Sequence, residues 1–183
     1  MIKSNRTFTI AKVKNNIKVI DSFIINKNEK KNLVVLTSIG RILKFNLSNE
    51  FINPTSKQSQ GIILTKLLPT EKIVSCCKSE DNEILYLISQ KGKFFSIKNN
   101  EIYYAHNYKL GYLNEKSQLR NDTFIKILAG NEYLDVETNK NKSARLMPSN
   151  FNSKTKDIVA INFLNLEKDE YLDNCFRLRN FID

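Results

Sequence analysis

The stretch Leu36-Thr37-Ser38-Ile39-Gly40-Arg41-Ile42-Leu43-Lys44-Phe45 returns, altered but legible, as Ile88-Ser89-Gln90-Lys91-Gly92-Lys93-Phe94-Phe95-Ser96-Ile97. Each copy is an apolar strand, a hydroxyl residue, a Gly followed by a cation, and a second apolar strand. Each also closes alike, in Asn49-Glu50-Phe51 and Asn100-Glu101-Ile102. The two glycines lie 52 residues apart, a period that belongs to propeller blades or solenoid repeats. A third copy runs from Thr138 to Phe151 and puts Asn141 where Gly would stand, 49 residues after Gly92. Asn is the non-glycine residue that best tolerates the positive φ of such a turn. A unit of this size cannot enclose a core by itself, so the period requires successive units to stack.

A second block recurs in step with the first. It reads Gln60-Gly61-Ile62-Ile63-Leu64 and then Leu67 to Ser75; next Leu110-Gly111-Tyr112-Leu113 and then Leu119 to Lys126; last Ile158 to Asn162 and then Leu166 to Leu172. Gly61 and Gly111 are 50 residues apart, so two independent blocks share one period. Short runs rich in Val, Ile, Phe and Tyr, such as Phe8-Ile10, Ile17-Ile20, Leu33-Leu36, Gly61-Leu64, Ile73-Cys77 and Ile84-Ile88, are separated by Asn, Lys, Ser and Gly. That is a strand-and-turn pattern. No segment sustains a 3.6-residue apolar stripe beyond two turns. The class is all-β, with about four strands per unit, the content of one propeller blade. The expected units are 1–54, 55–104, 105–152 and a partial one at 153–183, all in a single repeat domain.

The chain of 183 residues carries a net charge of +10. Such basicity points to a polyanionic partner, most often nucleic acid. Lys, Asn and Ile are abundant throughout, however, and an AT-rich coding bias raises the charge with no binding role. No apolar run approaches the roughly 18 residues of a membrane helix, and Met1 to Lys14 lacks the apolar core of a signal peptide. A cytoplasmic protein is expected. Cys76, Cys77 and Cys175 form an odd set without CxxC spacing. The first two are adjacent and point to opposite faces of a strand, so reduced, structural thiols are expected rather than a metal site.

The repeat resembles the C-terminal domain repeat of the DNA gyrase A and topoisomerase IV A subunits, the type IIA topoisomerases. Each family blade has a Gly-hydrophobic-cation stretch ending in an acid and an apolar residue, a small basic loop closing on Gly, then a Leu and an acidic pair before the next strand. Gly40 to Phe51, Ser56 to Gly61 and Leu68 to Val74 carry these features, and Gly92 to Ile102, Tyr108 to Gly111 and Leu119 to Ile125 carry them again. The resemblance implies a β-pinwheel, a propeller-like disc whose rim bends DNA. Two departures matter. The Gln-Arg-Arg-Gly-Gly-Lys-Gly box of gyrase has as its nearest counterpart Lys57 to Gly61, which keeps one cation and the final Gly. That argues against gyrase-type supercoiling. The family ring has five or six blades, whereas this chain supplies about three and a half units, as a fragment, a truncated descendant or an open, incomplete ring with exposed strand edges would.

The expected activity is therefore non-catalytic: sequence-independent binding and bending of duplex DNA, in the service of a topoisomerase catalytic core. Wrapping needs no base readout, only cations spaced along a rim to neutralise successive phosphates. The repeat register nominates Arg41, Lys93 and Lys142 after the turn residue, Lys44 with Arg145 three residues further, and the loop cations Lys57, Lys109, Lys154 and Lys156. Tyr103, Tyr104, Tyr108 and Tyr112 suit packing better than base stacking. No cofactor, metal, membrane or small-molecule substrate is implied. The sole histidine, His106, has no neighbouring acid or nucleophile pattern, and GxxxxGK[ST], HExxH and GxSxG are absent. The competing expectation is a propeller-like protein-interaction scaffold whose charge is coding drift.

Overall fold

A computed structural model describes residues 17–26, 29–47, 55–56, 59, 61–105, 112–113, 119, 121–130, 133–151, 161–162 and 165–177. The described residues are strands, turns and two short 3₁₀ segments, Asn99–Glu101 and Pro148–Phe151. The strands are β1 (Asn32–Thr37), β2 (Arg41–Asn46), β3 (Ile73–Ser79), β4 (Ile84–Ser89), β5 (Lys93–Lys98), β6 (Tyr112–Leu113), β7 (Phe124–Ala129), β8 (Leu134–Thr138), β9 (Ser143–Leu146), β10 (Ile161–Asn162) and β11 (Leu172–Arg177). The all-β expectation holds. The protein is a β-pinwheel of small antiparallel sheets whose ring is not closed.

Three antiparallel hairpins, β1–β2, β4–β5 and β8–β9, correspond to the three sequence copies. Their turns need left-handed backbone, and Gly40 (φ 91°), Gly92 (φ 72°) and Asn141 (φ 58°) supply it. The sheets then combine strands from successive units, in the orders β3-β1-β2-β6, β10-β5-β4-β7 and β11-β8-β9. Each hairpin takes an inner neighbour from the following unit (β3, β7, β11). The first two also take an outer strand from the unit after that (β6, β10). A blade is thus stitched from three stretches of chain.

Period-2 alternation explains how the sheets stack. On β4, Leu85 and Leu87 face a core shared with Val34, Leu36 and Ile42 of the first sheet, while Tyr86 and Ile88 face a second core with Leu134, Val136 and Leu172 of the third. Phe95 and Phe94 divide in the same way, as do Ile127 and Leu128. The middle sheet is buried on both faces, so β4 reads as a continuous apolar run.

Two runs expected as strands, Ile17-Ile20 and Gly61-Leu64, form no ladder with other described residues, although Thr65 beside the second makes a single β-bridge. The sheet pattern gives the reason. Both precede or flank β3 in the places that would border a hairpin lying before β1 on the disc, and no described residue forms that hairpin. The run Phe8-Ile10 lies outside the described residues.

Candidate functional site

The hairpin turns are joined into one end of the disc by a repeating set of backbone bonds. The second turn residue donates its N–H to the carbonyl just before its own inner strand: Ser38 to Lys72 (2.8 Å), Gln90 to Thr123 (2.8 Å) and Asn139 to Tyr171 (3.0 Å). Its carbonyl accepts from the first residue of the next inner strand: Phe124 N to Ser38 O (3.1 Å) and Leu172 N to Gln90 O (2.8 Å). The turns of neighbouring blades therefore stand in fixed register.

The hydroxyl four residues before each register cation shapes the turn. Thr37 Oγ1 accepts the N–H of Arg41 (3.1 Å), Ser89 Oγ that of Lys93 (3.0 Å) and Thr138 Oγ1 that of Lys142 (3.3 Å). The cation side chain then meets a carboxylate from the second sequence block. Arg41 is 4% exposed and donates from Nε to Glu71 Oε1 (2.6 Å) and from Nη2 to Glu71 Oε2 and to the carbonyl of Lys66 (3.0 Å). Lys142 donates to Glu167 (2.7 Å) and Glu170 (3.3 Å), and Lys140 joins Glu167 (3.0 Å). Glu71 and Glu170 are built alike: each carboxylate caps the N–H three residues back, Leu68 (2.9 Å) and Glu167 (2.9 Å).

The middle blade departs from this. Its acid is Asp122, one methylene shorter, and Asp122 Oδ1 accepts the backbone N–H of Lys91 (3.0 Å) and Thr123 (2.8 Å). Lys93 is half-buried and forms no ion pair with another described residue.

The second series of register cations also turns inward or pairs. Lys44 is 2% exposed, with Nζ on Asp81 Oδ1 (2.6 Å) and the Asn99 carbonyl (3.0 Å), and 4.5 Å from the centroid of the Tyr104 ring. Asn32 Nδ2 reaches the same Asp81 oxygen (2.9 Å), and the Tyr104 hydroxyl donates to Asn32 Oδ1 (3.1 Å). Two acceptor contacts and a π face are what make a buried ammonium tolerable. Arg145 is exposed but forks onto Asp135 (2.8 and 3.1 Å).

Of the nine nominated cations, Arg41 and Lys44 are therefore structural: both are buried on carboxylates and cannot line an outer rim. Lys142 and Arg145 reach the surface already paired to acids. Lys93 stays available. Lys57, Lys109, Lys154 and Lys156 lie outside the described residues, as do His106 and Tyr108. Residue-type reasoning passed over Lys72, Lys91 and Lys168, which are exposed at the turn end and pair with no described acid. The signal was present in the aligned acids: Glu71 and Glu170 neutralise Arg41 and Lys142, whereas the shorter Asp122 at the same place leaves Lys93 without an ion pair among the described residues.

These carboxylates are held below their ordinary range. Burial raises Glu71, but Arg41 and the Leu68 N–H outweigh it. Lys44 lowers Asp81, the Glu167 N–H lowers Glu170, and Lys142 with Lys140 brings Glu167 to about 2. A carboxylate with a depressed folded pKa stabilises the fold above its unfolded value, about 4, and loses that contribution as pH falls through the folded value. The melting midpoint is accordingly expected to be flat above about pH 5 and to fall steadily below about pH 4. Glu71→Gln should start lower and fall less steeply. A wild-type midpoint unchanged down to pH 2.5, checked by circular dichroism, would contradict these pairings.

Cys76, Cys77 and Cys175 form no disulfide. Burial pushes Cys76 up to about 11 and Cys175 up to about 12, so neither is a ready nucleophile at neutral pH. No helix among the described residues is long and apolar enough to cross a membrane.

No protein-family model matches the chain, and no curated protein matches it. Solved structures do. The C-terminal domain of DNA topoisomerase IV aligns with a TM-score of 0.74 at 12% identity, over 93% of this chain and 53% of that one. The E. coli ParC C-terminal domain gives 0.61 at 11% identity, over 83% and 58%, and the DNA gyrase A C-terminal domain 0.52 at 16%, over 84% and 68%. The chain spans about half the length of the topoisomerase IV domain. Swapped strands, glycine–cation turns and these alignments agree that the chain has the fold of the C-terminal domains of topoisomerase IV and gyrase A.

Proposed function

We propose that this chain is a cytoplasmic, non-catalytic DNA-binding module that bends duplex DNA through phosphate contacts and serves a type IIA topoisomerase core. The observation that carries it is the distribution of unpaired cations on a fold shared with topoisomerase domains. At the stitched turn end Lys72, Lys91, Lys93 and Lys168 come from all three hairpin neighbourhoods and have no acid partner among the described residues. Phosphates need cations whose charge is not already spent. The buried Arg41 and Lys44 pairs hold the blades, and the lysines beyond them meet the polyanion.

The test is binding to a linear duplex of about 150 bp, one persistence length, titrated across salt. Binding should be indifferent to sequence and fall steeply with salt. Each of Lys72→Glu, Lys91→Glu and Lys93→Glu should weaken it several-fold and flatten the log–log salt slope by about 1, with an unchanged melting midpoint. Absence of binding at about 50 mM salt, where phosphate contacts are strong, would sink this proposal.

A further inference from the structure

Three positions of the repeat decide how much charge a turn presents: the hairpin tip, the register cation two residues on, and the second-block residue three before the capping acid. In the first blade these are Ile39, Arg41 and Leu68; in the middle blade Lys91, Lys93 and Leu119; in the third Lys140, Lys142 and Glu167. The last position is Leu in two of the blades, so the fold requires no acid there. Its backbone N–H is what the capping acid takes, and Glu71 and Glu170 take it alike from Leu68 and Glu167.

The Glu167 side chain lies across two lysines instead. Its Oε1 accepts from Lys142 Nζ (2.7 Å) and its Oε2 from Lys140 Nζ (3.0 Å), while Glu167 and Lys142 are 60% and 54% exposed at their side chains. One carboxylate with each oxygen on a different ammonium holds the place that two oxygens of a phosphodiester would take. Lys142 keeps a second contact at Glu170 Oε2 (3.3 Å), and Lys140 one at the Lys168 carbonyl (3.2 Å). In the middle blade Leu119 packs against the apolar core, and Lys91 and Lys93 form no ion pair with a described residue. The two turns carry the same pair of lysines, one open and one closed.

We infer that Lys140 and Lys142 form a latent phosphodiester site that Glu167 occupies in cis, so that the third blade's turn engages duplex DNA only by displacing its own carboxylate. The inference rests on the DNA-binding reading above and adds a gate to it. Exposed ion pairs are weak and screened by salt, and a duplex presents closely spaced phosphates. DNA already held at Lys91 and Lys93 can therefore compete with Glu167 at the neighbouring turn, which the bond from Leu172 N to the Gln90 carbonyl keeps in fixed register. Glu167 lowers affinity by competition and does not abolish binding. The middle blade is engaged first, and the third joins when Glu167 yields.

Glu167→Gln keeps the side-chain shape and the backbone N–H that Glu170 accepts, so the melting midpoint should hardly move. It should raise affinity for the linear duplex about three-fold or more and steepen the log–log salt slope by about 1. Asp169→Asn removes the same charge from the same turn. That residue is exposed, has a φ of 62° that Asn tolerates, and pairs with no described cation, so its gain should be much smaller. Lys140→Gln should cost little in the wild type and cancel the gain in the Glu167→Gln background. An equal gain from Asp169→Asn, an unchanged slope, or an equal cost of Lys140→Gln in both backgrounds would overturn the inference. A second arm needs no DNA: inorganic phosphate is titrated while the Lys140 and Lys142 side-chain resonances are followed by NMR. They should shift in Glu167→Gln and far less in the wild type, and equal shifts in both would overturn the gate. A phosphate response in Glu167→Gln without any duplex binding would refute the DNA-binding reading and keep the site.

Discussion

Arg41→Ala is expected to destabilise the fold by about 3–5 kcal/mol, the cost of breaking a buried ion pair and stranding its partner. The arginine stands at the first residue of β2, and its guanidinium bonds Glu71 and the Lys66 carbonyl where both side chains are almost fully buried. Without it the Glu71 carboxylate keeps only the Leu68 N–H and a few local contacts in a site that water barely reaches. Glu71→Ala should cost a similar amount for the converse reason. The double change Arg41→Met with Glu71→Leu should recover much of the loss, since apolar isosteres remove both desolvation penalties. Lys142→Ala, the same register position in an exposed setting, should have a far smaller effect. Urea unfolding followed by circular dichroism measures all four. A loss under about 1 kcal/mol for Arg41→Ala, the range of exposed pairs, would show the pair to be solvated. The comparison also separates fold from function. Any loss of DNA binding in Arg41 variants should track unfolding, whereas that in Lys93→Glu should not.

The second large effect is expected at Phe124, where truncation to Ala should cost about 3–5 kcal/mol. Phe124 opens β7 and is fully buried. Its ring packs against Phe95 with centroids 5.4 Å apart and lies over Gly40 in the turn of the neighbouring blade. A Cβ on Gly40 would fall 2.7 Å from Phe124 Cε2, and Gly40 has a φ of 91°. The aromatic ring and the bare glycine thus form one inter-blade joint, next to the bond from Phe124 N to the Ser38 carbonyl. Gly40→Ala should destabilise as well, through both overlap and left-handed strain. In a Phe124→Ala background only the strain remains, so the two changes should cost less together than the sum of each alone. Strict additivity in denaturant melts would refute the joint.

Much of the architecture was written in local chemistry. Gly40, Gly92 and Asn141 are each the residue type a left-handed turn needs, and Thr37, Ser89 and Thr138 each stand where a hydroxyl can cap that turn. The apolar alternation of β4 and β5 follows from their burial on both faces. Such features depend on a few consecutive residues, so a single chain displays them. The cation positions were legible as a series, but not what they do. Arg41 and Glu71 are 30 residues apart in sequence, in different units, and meet only because β3 crosses to pair with β1. Lys44 and Arg145 share a register position and have opposite surroundings. Tyr104 and Asn99 close over Lys44, while no described residue stands in that place over Arg145.

The sequence by itself determined the period, the all-β class and the three turn geometries, because sterics and strand alternation act over a few neighbouring residues. Only the tertiary structure decided that the first two blades borrow strands from the next two units, and which cations spend their charge on carboxylates. Those outcomes turn on pairing between segments tens of residues apart, where register across a ladder, and not the identity of any one residue, sets which groups meet.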